Sequence, residues 1–425
     1  MAISASVKRT LPFGTVVIPL MIARPSLDNL FGMIRLPVGG ASLSPGFLFN
    51  IFMVLVAAAL AGHALLVDRT QQRSVLTMAV IWGPFLLASA LAASYSPVPV
   101  EAVQMLFNFL TYSAVAFLGL IYGPALGRTG LTIVVALSGV VPIMFGLGQV
   151  ALGMSEERLA STFAHPNILA FFCLLYISFL FHAQLSGYVK NRVAGVAIWG
   201  LIGAAVLALL FTGTRAAYIT VFLFLLSYSA LRKPLLLIPL LLLPPLAMFI
   251  PAVADRVTDA LSGSSPVSYD YFISAMRGDV ANSGILILDS GTWRRYLWQA
   301  AWPWIEQKPF FGYGLESFQT YSRSFFPLSA EEGNQAHNVY IQLLFDGGCM
   351  VLFPYLFMHA QIFKIITNIK FAKCDIIYCI LVVTSFLIAA MFDNMIFYLS
   401  INVIFWFIVF ALIGLGFPAK CRGQA

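Results

Sequence analysis

The sequence predicts an all-α polytopic membrane protein with about 12 transmembrane helices. Sixty per cent of its 425 residues are hydrophobic, only 10% are charged, and the mean hydropathy is +0.91, whereas about a quarter of a soluble domain is charged. The apolar residues also form runs long enough to cross about 30 Å of hydrocarbon, which takes roughly 20 helical residues. Because these runs lack the alternation of barrel strands, helices are the structure that satisfies their backbone polar groups inside a bilayer.

Twelve apolar runs follow one another and are interrupted by a single long polar interval. They cover 11–23, 46–67, 75–93, 103–123, 130–152, 166–185, 193–212, 214–231, 234–252, 338–360, 375–392 and 396–417. Lys8 and Arg9 precede the first run, but no small-x-small cleavage site follows it, so we interpret it as an uncleaved span. The chain is thus predicted to comprise nine spans in 1–252, a loop over 253–336, and three spans with a short cytoplasmic tail in 337–425.

The basic residues predict how these spans are oriented. Lysine and arginine recur at every second junction, which the positive-inside rule assigns to the cytoplasm together with both termini. These junctions carry Arg69, Arg73, Arg128, Lys190, Arg192, Arg232, Lys233, Lys364, Lys370, Lys373, Lys420 and Arg422. The 253–336 loop then lies on the extracytoplasmic side.

Arginine dominates the basic residues of that outer side. Of ten basic residues in outer loops or at outer span ends, Lys308 is the only lysine. The nine arginines are Arg24, Arg35, Arg158, Arg215, Arg256, Arg277, Arg294, Arg295 and Arg323. A guanidinium matches phosphate oxygens two at a time and stays charged when partly desolvated, so the bias indicates an anionic ligand. Pairing with outer acidic residues is the alternative, and we favour it for Arg256, Arg277 and Arg323.

Two of these arginines lie at predicted turns between spans. Arg215 follows Thr212-Gly213-Thr214 in a tight hairpin where a phosphate could approach the backbone, although a side chain that only snorkels to the boundary is the alternative. Arg158 lies at the predicted outer end of the span at 166–185, close to His165. Because Pro166 suits the first turn of a helix, we interpret His165 as a first-turn residue rather than a catalytic one.

Residues 292–307 are predicted to form an amphipathic helix within the long loop, lying at the membrane interface. Its apolar face comprises Trp293, Leu297, Ala300 and Trp304, and its polar face comprises Arg295, Gln299 and Glu306. Such a helix could rest at headgroup depth and hold Arg294 or Arg295 against a lipid diphosphate. Periodicity alone equally supports a helix that only anchors the loop.

His337 begins the span that follows the loop. Unperturbed imidazole titrates at about pH 6.5, which suits a general base, although a capping histidine is at least as good an interpretation of this residue alone. Asp393, between the last two runs, is a carboxylate on the same outer side. Asp346 would face away from His337, and we interpret it as a packing or hinge residue beside Gly347-Gly348.

The sequence offers no conventional metal or nucleophile site. It has no acidic pair of the kind that holds a divalent cation on a diphosphate, and no serine or cysteine in a nucleophile motif. Its five cysteines, Cys173, Cys349, Cys374, Cys379 and Cys421, lie in or beside apolar runs without metal-ligand spacing. We therefore expect no metal, no cofactor and no nucleic-acid partner.

Four stretches resemble the O-antigen ligase and polymerase family of bacterial envelope glycosyltransferases. They are Arg158–Asn167, Gly213–Ala216, Arg294 with Trp298 and Pro309–Gly314, and His337–Tyr340, in the family's order. The resemblance implies a twelve-span fold of the lipid-dependent (GT-C type) glycosyltransferases. It also implies a multi-pass protein of the bacterial inner membrane, surrounded by membrane lipids, whose active site faces the periplasm.

The resemblance further implies substrates and residue roles. The donor would be a glycan on undecaprenyl diphosphate, and in the ligase branch the acceptor would be a sugar hydroxyl of the lipid A-core. By matching motif, Arg158, Arg215 and Arg294 would bind the diphosphate and His337 would be the general base. Motif spacing favours Arg294, whereas periodicity favours its neighbour Arg295. Asn338 and Asp393 are candidates to support this site.

Three alternatives share parts of this pattern. A polymerase that joins two lipid-linked repeat units would use the same donor site. Protein O-oligosaccharyltransferases share the motifs, but usually carry more chain after the last span. A polysaccharide flippase or transporter would be expected to show repeat symmetry and short loops, whereas about 80 residues here lie in one loop. The expectation is a metal-independent, inverting O-antigen ligase, with a polymerase as the nearest alternative.

Overall fold

The computed structural model describes residues 5–34, 36–38, 41–67, 69–154, 158–249, 254, 269–270, 274, 290–326, 328, 333–369 and 372–416. Within these ranges the chain is almost entirely helical. The helices are α1 (Ala5–Ala23), α2 (Asp28–Met33), α3 (Pro45–Leu66), α4 (Arg69–Ser94), α5 (Pro99–Ala151), α6 (Pro166–Leu185), α7 (Arg192–Phe211), α8 (Arg215–Arg232), α9 (Leu237–Ala247), α10 (Ser290–Gln307), α11 (Ser317–Phe325), α12 (Val339–Asn368), α13 (Lys373–Ala389) and α14 (Leu399–Gly416). Strands β1 (Leu36–Val38) and β2 (Ala41–Leu43) pair as an antiparallel hairpin, and short 3-10 segments cover Arg24–Leu27, Pro234–Leu236 and Met395–Phe397.

Seven of the described helices are long and apolar enough to cross a membrane, which is consistent with a multi-pass membrane protein. One of them, α5, is 53 residues long and contains two predicted spans, which meet at a break where Gly127 has φ 63°. Two other predicted spans coincide with α9 and α13, which are only 11 and 17 residues long. The helices follow the predicted order, and the total of about twelve spans stays a prediction.

Helices α6 and α14 lie at the centre of the bundle. In each, 89% of the apolar window is buried inside the protein. Helix α14 packs closely on α5 because two glycines one turn apart, Gly119 and Gly123, face it. A Cβ added at Gly119 would lie 2.7 Å from the Phe407 carbonyl oxygen, and one at Gly123 would meet Ala411. Small residues at this spacing let helix backbones approach in a membrane, where packing rather than the hydrophobic effect holds helices together.

The outer part of α12 is broken at Gly348, which has φ 61° and ψ −161°. The segment Pro309–Gly314 lies in the break and exchanges backbone hydrogen bonds with both sides of it. The bonds run from Cys349 N to Pro309 O (2.8 Å), Met350 N to Phe310 O (3.1 Å), Tyr313 N to Phe345 O (3.0 Å) and Gly314 N to Asp346 O (2.7 Å). These bonds satisfy groups that a broken helix would otherwise leave unpaired. The motif thereby fixes the end of the long loop to the bundle.

Asp346 joins the same break to α11. Its buried carboxylate accepts hydrogen bonds from the Gln342 amide (2.9 Å), the backbone of Glu316 (3.1 Å) and Phe318 (2.9 Å), and the Ser317 hydroxyl (3.1 Å). Because residues 316–318 begin α11, the carboxylate satisfies its first amides and complements its dipole. The interpretation of Asp346 as a packing residue beside the glycine pair is confirmed, and the structure adds this capping role.

A second buried polar cluster connects helices at the predicted cytoplasmic end. Arg128, at the break in α5, lies 2.8 Å from a carboxylate oxygen of Asp375 in α13. The Tyr188 hydroxyl donates to the other oxygen at 2.6 Å, and His182 lies between the hydroxyls of Tyr188 and Tyr228. Because the Asp375 carboxylate is buried, it needs these partners to be tolerated. We interpret the cluster as a structural connection between α5, α6, α8 and α13.

We expect Gly348→Ala to destabilise the protein by at least about 1–3 kcal/mol, the cost of a positive φ at a residue with a side chain. The added Cβ would also meet the backbone of Phe310 in the inserted segment. Thermal unfolding in detergent measures the effect. Gly62→Ala is the matched control, because a Cβ there meets nothing within 4 Å and alanine favours a helix. A Gly348→Ala protein as stable as the wild type would contradict the role given to the break.

Candidate active site

The candidate site lies at the N-terminal ends of the two central helices. Asn167 is in the first turn of α6, Asp393 and Tyr398 lie in the segment before α14, and His337 lies two residues before α12. His165 caps α6, since its Nδ1 accepts a hydrogen bond from the Asn167 amide at 3.1 Å. This confirms the interpretation of His165 as a first-turn residue. The most buried helices of the bundle thus position the polar groups.

Four side chains form a continuous hydrogen-bonded series, here called the polar row: Arg158, Asn167, Asp393 and His337. Its contacts are Arg158 Nη2 to Asn167 Oδ1 (2.8 Å), Asn167 Nδ2 to Asp393 Oδ2 (2.6 Å) and His337 Nδ1 to Asp393 Oδ1 (3.2 Å). The amide of Asn167 can serve both neighbours because it offers an acceptor to the guanidinium and a donor to the carboxylate. Residues more than 200 positions apart in the chain are therefore joined in one network.

Asp393 is the buried centre of the polar row, with its side chain 3% exposed. Burial acts to raise the pKa of this carboxyl group, but the hydrogen bond and charge of His337, together with Arg294 and Tyr398, hold its pKa below the usual 3.8. The group is therefore an ionised carboxylate at neutral pH. Since an ionised carboxylate can only accept, His337 Nδ1 must carry the donated proton. Nε2 is then the ring nitrogen that does not contact Asp393.

The His337 ring is held with Nε2 accessible. Its side chain is 32% exposed, and Nε2 forms no hydrogen bond to any residue that the structure describes. The Trp293 ring packs edge-on against it, 5.8 Å away between centroids. His337 also has φ 50°, an uncommon conformation for a residue with a side chain, and such conformations cluster at functional sites. The geometry leaves one imidazole nitrogen open to a substrate.

Asn338 supports this conformation from the backbone side. Its side-chain oxygen accepts from the amides of Tyr340 (2.9 Å) and Ile341 (3.1 Å), so it caps α12. The backbone amide of Asn338 donates to the side-chain oxygen of Asn394, next to Asp393, at 2.9 Å. Asn338 therefore fixes the start of α12 beside the α13–α14 segment, and His337 is fixed with it.

Arg158 and Arg215 flank the turn between α7 and α8. Arg158 donates from Nε to the Thr212 carbonyl (2.8 Å) and from Nη2 to the Thr214 hydroxyl (3.0 Å). Arg215 follows Thr214 as the first residue of α8, and it forms no hydrogen bond or ion pair with the described part of the chain. Because the start of a helix already favours negative charge, a free guanidinium there makes the turn suitable for an anion.

The two adjacent arginines of α10 point in different directions. Arg294 is half-buried and close enough to lower the pKa of Asp393. Arg295 is exposed, and its guanidinium lies 5.3 Å from the ring centroid of Tyr296. Of the two, Arg294 is the one whose charge acts on Asp393 of the polar row, and its selection over Arg295 as a phosphate ligand stays a prediction.

Helix α10 has the predicted position and amphipathicity, but its apolar face contacts protein. Leu297 and Ala300 are buried in a second core formed with α11 and the start of α12. The Trp298 indole donates to the Ala336 carbonyl at 2.7 Å, next to His337. Aromatic side chains of α11 and α12 cover this face, and the position of the helix at the membrane interface stays a prediction. Trp302, on the opposite side and 48% exposed, remains available to headgroups.

Some predicted arginines lie outside the described residues, and some residues of the site were not predicted. Arg256 and Arg277, like the stretches 255–268 and 275–289 in which they lie, are outside the described residues. Tyr398 was not predicted as a site residue, and Asn167 and Thr214 were named only as parts of motif stretches. Asn167 ends the motif that begins at Arg158, and its place beside Pro166 at a helix start was the available signal. In the described parts of the chain no cluster of three or more His, Cys, Asp or Glu side chains could hold a metal ion.

We expect Asp393→Asn to destabilise the protein at pH 7 by about 1.5–3 kcal/mol, the worth of hydrogen bonds to a charged group. Because the folded-state pKa of Asp393 is lowered, its contribution is present above the unfolded pKa and is lost as the pH falls below about 4. The difference in melting temperature between wild type and variant should therefore narrow in acid. Glu101→Gln, which alters an exposed carboxylate, is the control. A difference that stays constant or widens would contradict this assignment.

Comparison with known protein families agrees with the resemblance of the motifs. Residues 200–356 match the family model described as O-antigen ligase. The matched stretch runs from α7 to α12 and includes Arg215, Arg294 and His337, whereas Arg158 and Asp393 lie outside it. None of the curated proteins compared matches the chain. The match over 200–356 supports assigning this chain to the O-antigen ligase and polymerase family.

Proposed function

We propose that this chain is an O-antigen ligase that transfers a glycan from undecaprenyl diphosphate to a sugar hydroxyl of lipid A-core. The observation that carries the proposal is the polar row, because it joins a histidine with an open nitrogen to an arginine at an anion-suited turn. A base for the acceptor and positive charge for the leaving group are the two requirements of a metal-independent transfer. The family match supports the same reaction class.

His337 is the general base in this mechanism. Its Nε2 takes the proton of the acceptor hydroxyl as that oxygen attacks the anomeric carbon, a step to which a positioned base contributes typically ~10²–10⁴ in rate. Asp393 holds the ring by accepting from Nδ1 at 3.2 Å, and its carboxylate stabilises the imidazolium that forms. An ionised carboxylate beside the second nitrogen has this function in other base-catalysed transfers.

The arginines act on the leaving group. As the bond from the anomeric carbon to the diphosphate oxygen breaks, the sugar becomes oxocarbenium-like and negative charge grows on the diphosphate. Arg158, Arg215 and Arg294 stabilise that charge, and positive groups already fixed in place act most strongly at this step. Undecaprenyl diphosphate departs and the proton on His337 passes to solvent. One displacement without an enzyme nucleophile inverts the anomeric centre.

The proposed location follows from the charge distribution. With lysine and arginine at alternate junctions in the cytoplasm, the polar row faces the periplasm of a bacterial inner membrane. Lipid-linked donor and lipid A-core acceptor are both membrane-anchored, so each reaches the site from the bilayer. Cleavage of the bond between the anomeric carbon and the diphosphate supplies the free energy of transfer, and no nucleotide is required there.

We expect His337→Ala to abolish glycan transfer, a loss of at least about 10²-fold, while the protein stays in the membrane. The assay is lipopolysaccharide on gels from a deletion strain that carries each variant. Unmodified core beside polymerised lipid-linked glycan is the pattern expected of the empty strain and of His337→Ala. His63→Ala, at an exposed position in α3, is the control and should restore attached glycan.

Two results of that assay would count against the proposal. Normal glycan attachment in His337→Ala would remove the histidine from the mechanism. Core capped by a single repeat unit in the deletion strain would show that polymerisation, not ligation, is the missing step, and would favour the polymerase alternative.

The adjacent pair on α10 provides a matched test of the leaving-group role. Arg294→Ala should lower the rate of transfer by about 10²–10³, as expected when one donor to a developing negative charge is removed. Arg295→Ala should change it by less than about threefold, because that exposed side chain contributes as a surface charge. Rates with purified donor and acceptor lipids measure both. Equal losses in the two variants would refute the separation of their roles.

A further inference from the structure

A polar cavity of about 380 Å³ lies beside the polar row. It opens between the turn that follows α1, the first turns of α3 and α5, and the segment before α14. Its wall includes Tyr398, whose hydroxyl forms a hydrogen bond that lowers the pKa of Asp393. It also includes Ile168, the neighbour of Asn167. The volume lies in the range of about 300–1,000 Å³ typical of small-molecule sites. The cavity is therefore large enough for a ligand and adjoins the groups assigned to catalysis.

Two side chains of the cavity wall have a buried polar atom without a hydrogen-bond partner in the described part of the chain. Arg24 is 4% exposed and Asn50 is 3% exposed. Arg24 lies 2.9 Å from Asp28 through Nη1, but its Nε has no hydrogen-bond partner among the described residues. Asn50 donates to Asn108 at 2.9 Å, whereas its Oδ1 has none there. Since buried polar groups are normally hydrogen-bonded, a polar ligand that drew these two side chains towards the cavity would supply the partners they lack.

The cavity wall is rigidly attached to the loop that carries Arg158. The Thr162 hydroxyl donates to the Pro25 carbonyl at 3.0 Å, and the Asn29 amide donates to the Thr162 carbonyl at 2.9 Å. The Arg24 guanidinium also lies over the Phe31 ring, 5.1 Å from its centroid. These contacts fix Arg24 relative to the polar row. A ligand in the cavity would therefore have a fixed position relative to the reacting groups.

The chemistry of the lining favours a saccharide over a second phosphate. The positive charge of Arg24 is paired with Asp28, so the cavity presents little net charge to an anion. It offers instead amide groups of Asn50, Gln104 and Asn108. Sugar hydroxyls both donate and accept, as this mixture requires. The Phe47 and Tyr398 rings supply flat apolar surfaces on which the C–H face of a sugar can pack.

We propose that this cavity is a saccharide subsite that binds a sugar unit next to the bond being formed or broken. The inference rests on the proposed transfer reaction. A sugar could belong either to the lipid-linked donor or to the lipid A-core acceptor. Both present the same hydroxyl chemistry, and the kinetic test below separates them.

The test measures KM for donor and for acceptor separately, using purified membrane protein with a lipid-linked glycan and a lipid A-core. Asn50→Leu removes the unpaired acceptor at similar size, and Gln104→Ala removes an amide from an exposed position where folding is not at risk. Each should raise KM for one substrate by about three- to tenfold while kcat at saturation stays within twofold, the signature of lost substrate binding. A higher donor KM assigns the donor sugar, and a higher acceptor KM assigns the acceptor sugar.

Gln299→Ala on the exposed face of α10 is the matched control for Gln104→Ala and should leave both KM values unchanged. Thermal unfolding of each variant checks its fold, and if Asn50→Leu does not fold, Gln104→Ala alone decides. Unchanged KM values for both substrates in folded variants would overturn the subsite, even where wild type transfers glycan and His337→Ala does not. Transfer by His337→Ala would instead overturn the proposed mechanism, whatever the KM values of the cavity variants.

Discussion

The Asp393 carboxylate is buried and ionised, and a buried charge is tolerated only when hydrogen bonds and opposite charge surround it. Asn167 donates to one of its oxygens and His337 contacts the other, while Arg294 lies close by. These partners come from α6, the start of α12 and α10. The requirement to satisfy one carboxylate therefore gathers helices from both halves of the chain at a single point, and it orients the histidine at the same time.

The bundle is constructed so that this point can be rigid. Two almost completely buried helices, α6 and α14, begin there. Close packing of α14 on glycines of α5 holds it in position. The loop side is fixed separately, because Pro309–Gly314 is hydrogen-bonded to both sides of the break in α12 and Asp346 caps α11. Helix α10, which carries Arg294, packs on these same elements. The positive groups and the base thus belong to one connected structure rather than to a mobile loop.

Composition and apolar runs predicted the helical membrane class and the order of the helices, because each span in a bilayer requires a long run of apolar residues. The bias towards arginine on the outer side marked Arg158 and Arg294, and the polar pair Asp393-Asn394 stood out between apolar runs. Asn167 could not be recognised as a bridge, because its two partners, Arg158 and Asp393, lie far apart in the chain. Periodicity identified the apolar face of α10, but it could not tell whether lipid or protein covers that face.

We infer that the polar row and its neighbouring arginines form one site for a lipid diphosphate beside an open imidazole nitrogen. The most direct test is a cryo-EM structure of the protein with undecaprenyl diphosphate bound. We expect the phosphate oxygens to lie within hydrogen-bond distance of Arg158, Arg215 and Arg294, on the side of the site that His337 Nε2 faces. A diphosphate bound elsewhere, away from these guanidinium groups or separated from His337 by the bundle, would contradict it.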